Sequence, residues 1–427
     1  MWWRTREPGS RSRAKAATFG RFHPFSTPVR AAAPGTPTLD SAAGWWVAAA
    51  TFLSTFTVFG VAYSFGSFFR PMADEFDADR GAIALVFSIT TLLYFGLGVV
   101  SGRAADRFGP RPVLLVGAVA LVIGLVVTSQ VDSIVVGYVT YGLGVGIGVA
   151  CGYVPMVATV GAWFDRHRST AVGFAVAGIG AGTLVVAPLT ERLIERHGWR
   201  QTYLYLAGAA AVLLALAAVG ARRPPIADGA DGTSGGPLLA RIRSSRSFLV
   251  LYVAILFTSS GLFVPFVFMA DYVAERGIDG SGGLLVGLIG LSSVVGRLGL
   301  GVVATRVEPM NLFYGSLATM AASYLVWLTA ADRYWQLVVF ALVLGVAYGG
   351  FIALSPVVAA QLFGVAGLGG VLGALYTAAG LGGFVGPPTA GVLIDRFGYS
   401  TTLVVTCLAS SLGAATYLLL KDSPGDL

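Results

Sequence analysis

Twelve apolar runs, most of them about twenty residues long, break up this 427-residue chain and leave it few folds to choose from. An α-helix needs about twenty residues to cross roughly 30 Å of hydrocarbon, where every backbone N–H and C=O must be satisfied within its own segment. A spanning β-barrel would read as alternating segments of about ten residues, and these runs do not alternate. With 56% hydrophobic and 11% charged residues and a mean hydropathy of +0.77, no water-soluble class accommodates the chain. The predicted fold class is an all-α membrane protein with twelve transmembrane helices in two six-helix pseudo-repeats.

The 58 glycines suit close helix packing in lipid. The two cysteines, Cys151 and Cys407, both lie inside apolar runs, so neither a disulfide framework nor a thiolate metal site is expected. A net charge of +7 would fit a nucleic-acid partner, but the basic residues sit in the N-terminal tail and between the apolar runs, where topology accounts for them. No nucleic-acid partner is expected.

Residues 1–43 read as a disordered basic tail, 44–220 and 248–420 as two six-helix halves, 221–247 as a Gly/Pro/Ser-rich linker and 421–427 as a short tail. With an even number of spans, both termini and the linker share one side. That side carries 19 Lys+Arg against 8 on the other, so the positive-inside rule predicts cytoplasmic termini in a multi-pass plasma (inner) membrane protein. An internal repeat supports the division. A shift of 200 residues places Gly173 on Gly373, Gly180 on Gly380, Pro188 on Pro388, Glu195 on Asp395, Arg196 on Arg396 and Gly198 on Gly398. Nested repeats of this kind build many secondary transporters.

Between the second and third spans, the stretch GRAADRFGPR carries Gly102, Asp106, Arg107, Gly109 and Arg111. It resembles the cytoplasmic loop signature of the major facilitator superfamily, which implies that family's fold and a reversible latch. In such a latch Gly102 permits close helix contact, Gly109 a tight turn, and Asp106 a contact with a facing helix N-terminus or arginine. Arg166 and Arg168 and the recurring pairs Glu195-Arg196 and Asp395-Arg396 are grouped with it as latch candidates.

Two further stretches resemble the monocarboxylate transporter family. One runs from Asp40 to Gly44 and Trp45 at the entry to the first span; the other, from Trp163 and Phe164 through Arg166, His167 and Arg168 to Gly178, leads into the fifth. Within the membrane, Arg297 in the eighth span is the lone charge well inside any run, roughly 13 Å of helix from Arg306. Burying it costs about 2.5 kcal/mol or more, so it is expected to face a cavity or an anion, with snorkelling to the headgroups as the alternative. An arginine at this place in the family binds the substrate carboxylate, so the resemblance gives Arg297 that role. Gly296 beside it would remove bulk and favour a cavity. Many relatives have an Asp one turn earlier, where this chain has Ser293, so a fixed carboxylate proton relay is not expected; a co-transported proton is left open. Ser293 is itself a candidate substrate-binding residue beside Arg297, and Tyr63, Tyr153, Tyr348 and Tyr376 are candidates to wall the cavity and donate to a carboxylate. Asp271 and Glu275, near an outer helix end, are expected to be solvated.

The leading function is therefore a secondary active carrier of small organic anions, foremost a monocarboxylate. The alternatives are an oxalate/formate-type dicarboxylate exchanger, an efflux carrier for another small molecule, and a non-transporting receptor in the same fold. A second intramembrane cation for the exchanger is missing, and so is the Gly-x-x-x-Gly-Pro motif common in exporters. No nucleotide-binding loop or intramembrane acid–His cluster supports an enzyme, and no cofactor or metal is expected. The lipid bilayer and the substrate are the expected partners, with a monomer as the working unit.

Overall fold

The computed structural model describes residues 38–225, 245–364 and 368–420, so most of the basic tail, much of the linker and the 421–427 tail lie outside the described residues. Among the described residues there is no strand. Thirteen helical segments follow one another: α1 (Ala42–Tyr63), α2 (Phe65–Phe76), α3 (Arg80–Phe108), α4 (Pro110–Thr128), α5 (Ile134–Gly152), α6 (Val154–Trp163), α7 (Arg168–Gly220), α8 (Arg246–Leu262), α9 (Val264–Glu275), α10 (Gly282–Val303), α11 (Pro309–Thr329), α12 (Tyr334–Phe363) and α13 (Leu368–Leu418). They make ten stretches long and apolar enough to cross a membrane, three of which join two segments in line: α1 with α2, α5 with α6, and α8 with α9.

The two longest, α7 with 53 residues and α13 with 51, would each run to about 80 Å if straight, far beyond a bilayer. Each has one residue off helical geometry, Gly198 (φ 77°, ψ 163°) and Gly398 (φ 78°, ψ 173°), a region that glycine enters without the Cβ penalty of other residues. Both helices fold back there. Arg168 at the start of α7 packs on Gly161, and just past its other end the Arg222 carbonyl accepts a 3.1 Å hydrogen bond from Trp163 Nε1, so both ends lie on one side. In α13, Thr377 bonds Tyr252 at 3.2 Å while Gly413 packs on Ala254 and Thr258 of the same helix, α8. Counting each arm separately brings ten stretches to twelve.

Asp40, Trp163 and Arg222 mark what we call the terminal side, and Gly198 and Gly398 the far side. Backbones approach closely where small residues are spaced four apart. A Cβ on Gly178 or Gly182 would lie 2.3 or 2.1 Å from the Phe52 or Phe56 carbonyl oxygen of α1, and one on Gly382 or Gly386 2.5 or 2.0 Å from the Leu256 or Ser260 oxygen of α8. The first half meets the second along two seams, α7 with α10 and α3 with α13, and toward the far side along α2 and α9. Aromatic side chains fill that far-side contact: Tyr63 lies 4.4 Å from Phe266, Phe69 5.0 Å from Phe268, and Phe87 6.1 Å from Phe263, centroid to centroid.

Candidate functional site

Two glycines bring α10 against α12. A Cβ on Gly296 would lie 2.1 Å from the Val346 carbonyl oxygen, and one on Gly349 would lie 2.1 Å from that of Ser293. Gly296 therefore serves helix contact rather than opening a cavity as the sequence reading had it. The next residue, Arg297, stacks its guanidinium over Tyr348, 5.6 Å from the ring centroid, a contact typically worth about 0.5–2 kcal/mol. Its Nη1 donates to the Val176 carbonyl of α7 at 3.3 Å, while Nε and Nη2 are buried with no hydrogen-bond partner. The side chain is thus turned into the bundle, and it does not snorkel.

Tyrosines cluster near this cation. Tyr348 Oη lies 3.4 Å from Tyr63 Oη, bridging α12 and α1 across the halves. Tyr153, at the α5–α6 joint, and Tyr376, on α13, lie within electrostatic range of both Arg297 and Tyr348. Tyr94 on α3 lies close to Tyr63 and Tyr348, its hydroxyl buried among them. Ser293 is buried, but its hydroxyl donates to Gly290 O of its own helix at 2.7 Å and does not join the tyrosines. The structure thus assembles Arg297 with all four tyrosines singled out from sequence and adds Tyr94, which was missed because no motif marks it. A guanidinium with two unsatisfied nitrogens among phenolic donors is suited to hold an anion, and a planar carboxylate can accept from two guanidinium nitrogens at once.

At the terminal side, the Asp40 carboxylate accepts from the backbone N–H groups of Asp165 (3.3 Å), Arg166 (3.1 Å) and His167 (3.0 Å) and approaches His167 Nδ1 at 3.3 Å. Desolvation pushes this carboxyl up, but the donors from His167, Arg166 and Asp165 outweigh it and hold it below the usual carboxylate range. Gly44 faces the Phe164 ring, and Trp45 meets Phe164 edge-on at 5.1 Å. The two sequence stretches singled out at the first and fifth spans therefore clasp each other.

The sequence pattern of the Major Facilitator Superfamily matches residues 51–332 and 312–427. The chain is 30% identical over 370 residues to monocarboxylate transporter 3 of Rattus norvegicus, covering 83% of this chain and 75% of that protein. It is 29% identical over 401 residues to monocarboxylate transporter 4 of the same organism, covering 90% of this chain and 84% of that protein. The chain belongs to the Major Facilitator Superfamily, in the family of the monocarboxylate transporters. It is a transporter, not an enzyme. Its fold is shared by a bacterial homolog of the human lysosomal transporter Spinster (TM-score 0.72, 14% identity, 91% of this chain and 100% of that chain). The nucleoside transporter NupG shares it too (TM-score 0.72, 13% identity, 88% and 99%).

The latch candidates divide between the two sides of this transporter. At the terminal side, Gly109 (φ 94°) turns α3 sharply into Pro110 of α4, and the Arg107 carbonyl accepts from Arg223 Nη2 at 2.9 Å. Asp106 is exposed and has no hydrogen bond or ion pair among the described residues, and Gly102 has no neighbour within 4 Å of a Cβ position. Arg111, Arg166 and Arg168 are exposed. Glu195, Arg196, Asp395 and Arg396 lie instead beside Gly198 and Gly398 at the far side, because the motif recurs three helices on, and an odd number of crossings inverts its side. Glu195, Arg196 and Arg396 are exposed, whereas Asp395 accepts from the Arg80 backbone N–H and from Arg80 Nη1, both at 3.0 Å. Asp271, expected to be solvated, is 2% exposed and bonded to Arg70, Arg80 and Tyr399; its charged partners lie in other spans, out of reach of any local sequence pattern.

Proposed function

We propose that this protein carries a small monocarboxylate by alternating access, with Arg297 as the carboxylate anchor. The observation that carries the reading is the pair of buried, unpartnered nitrogens on Arg297, Nε and Nη2, set among tyrosine hydroxyls. A buried cation left half satisfied is costly, and an anion that accepts from both nitrogens offsets that cost only while it is bound. The names of the similar rat transporters point to the same substrate class.

The 19-to-8 distribution of Lys and Arg supports a cytoplasmic terminal side in the plasma membrane. On that orientation the aromatic contacts of α2 with α9 lie toward the outside. Closure of the far side by these contacts supports an inward-facing state, in which Asp106 of the cytoplasmic latch is released; it engages when the carrier faces outward. Among the described residues no carboxylate bonds or pairs with Arg297, so a co-transported proton travels on the acid itself or on a group elsewhere.

Uptake of labelled monocarboxylates and dicarboxylates into proteoliposomes, with and without an inward proton gradient, tests the assignment. Accumulation of monocarboxylates with little dicarboxylate uptake is expected. A preference for dicarboxylates that depends on internal counter-substrate would replace it with the exchanger reading.

A further inference from the structure

In one far-side cluster, charge is sorted by half. The cations Arg70 on α2 and Arg80 on α3 belong to the first half, and the anions Asp271 and Glu275 on α9 and Asp395 on α13 to the second. Arg80 is the hub. Its Nε donates to Asp271 Oδ2 at 2.8 Å, its Nη1 to Asp395 Oδ1 at 3.0 Å, and its Nη2 to Glu275. Arg70 Nε holds the other oxygen of Asp271 at 2.9 Å, and Tyr399 Oη donates to Asp271 Oδ2 at 2.5 Å. The Asp271 side chain is only 1% exposed, while its partners Arg80 and Arg70 are 25% and 44% exposed, so the carboxylate is buried and its two pairs are screened from the arginine side.

The other seam is closed in a parallel way. Glu191, near the far end of the first arm of α7, accepts from the backbone N–H groups of Gly282 (3.2 Å) and Gly283 (3.1 Å) and from the Ser281 hydroxyl, at the N-terminus of α10. Asp395 does the same for α3 by accepting from the Arg80 N–H. Each seam thus ends in a carboxylate from one half seated on a helix N-terminus of the other, where the helix dipole favours it. Opening the far mouth must separate each of the contacts that crosses between the halves, and it leaves Asp271 with Tyr399 of its own half but without its arginine donors.

We propose that the Arg80 cluster and the Glu191 cap together form an ion-pair lock that holds the far mouth shut and sets the balance between the two facing states. The lock goes beyond the substrate assignment and needs no substrate to be tested. Val267 on α9 is buried beside Gly66 of α2, across the closed seam, so a cysteine there reports opening. With Cys151 and Cys407 replaced by alanine, Val267→Cys is labelled with a membrane-impermeant maleimide added from the far side.

Slow labelling is expected in this background, with acceleration of about tenfold or more in Asp271→Asn or Arg80→Gln, because each loses several charge-assisted contacts at once. Glu191→Gln should accelerate labelling as well. Arg70→Gln, which removes one of the two arginine donors that reach Asp271 across the halves, should give a smaller increase and serves as the readout if Asp271→Asn does not fold. Acceleration should persist in an Arg297→Ala background, which separates the lock from the substrate assignment. Unchanged labelling in folded Asp271, Arg80 and Arg70 variants overturns the lock, and a response confined to Glu191→Gln overturns the role of Arg80 as hub.

Discussion

Gly296→Ala is expected to destabilise the protein and to loosen its candidate site, whereas Gly299→Ala, one turn along the same helix, is expected to do neither. The added methyl on residue 296 would lie 2.1 Å from the Val346 oxygen and 2.8 and 2.9 Å from two further backbone atoms of that residue, where ordinary contact begins at 3.4 Å. Since backbone cannot swing aside as a side chain does, α10 and α12 must separate locally by about 1.3 Å, the difference between 3.4 and 2.1 Å. Overpacking of this kind costs about 1–3 kcal/mol, and the movement carries Arg297 away from Tyr348. At Gly299 nothing lies within 4 Å of a Cβ, so alanine there adds only helix propensity, about 0.8–1 kcal/mol in its favour. Thermal unfolding of both variants in one detergent, alongside acid binding, checks the pair. If Gly296→Ala melts with the wild type, or the two variants fall together, the close approach of α10 to α12 does not organise the site as argued.

Tyr348→Phe keeps the ring beneath Arg297 and loses the contact with Tyr63 Oη, so acid affinity should fall only a few-fold, about 1 kcal/mol, whereas Tyr348→Leu should lose the cation–π contact as well; equilibrium binding distinguishes them. Asp106→Asn removes no contact in the present state, so unfolding should shift by less than about 0.5 kcal/mol, while terminal-side cysteine accessibility should rise if Asp106 latches the opposite state. For Asp40 the sign follows from its lowered folded pKa: the clasp contributes in full above the ordinary value of 3.8, and that contribution is lost as pH falls through the lower folded value. Asp40→Asn should therefore melt earlier than wild type at neutral pH, and the gap should close in acid; a gap that persists in acid would point to geometry rather than charge.

The helical membrane fold was legible because hydropathy and span length leave so few solutions in lipid. The repeat even located the two glycines, Gly198 and Gly398, at which α7 and α13 fold back. Arg297 was legible for a related reason, since a charge inside an apolar run must have a use. What sequence could not supply was rotation and depth. Nothing in the spans shows that Tyr94 turns toward Tyr63, or that Gly296 faces Val346 rather than a cavity. The far-side cluster was hidden for another reason: Arg80 and Asp271 are 191 positions apart, and Arg80 and Asp395 are 315 apart, so each reads locally as an ordinary charge at a helix end.

The most direct test of the central claim is equilibrium binding of a labelled monocarboxylate to purified Arg297→Ala and Arg297→Lys, each first shown to be folded by thermal unfolding. A guanidinium that holds the carboxylate through charge-assisted hydrogen bonds contributes about 1.5–3 kcal/mol, so Arg297→Ala should bind roughly ten- to a hundredfold more weakly. Arg297→Lys, which keeps the charge but not the planar fork, should fall between it and the wild type. Because Arg297→Ala also removes a buried, partly unsatisfied cation, it should melt no earlier than the wild type. Near-wild-type affinity in a folded Arg297→Ala would contradict the account and leave Arg297 as a packing residue.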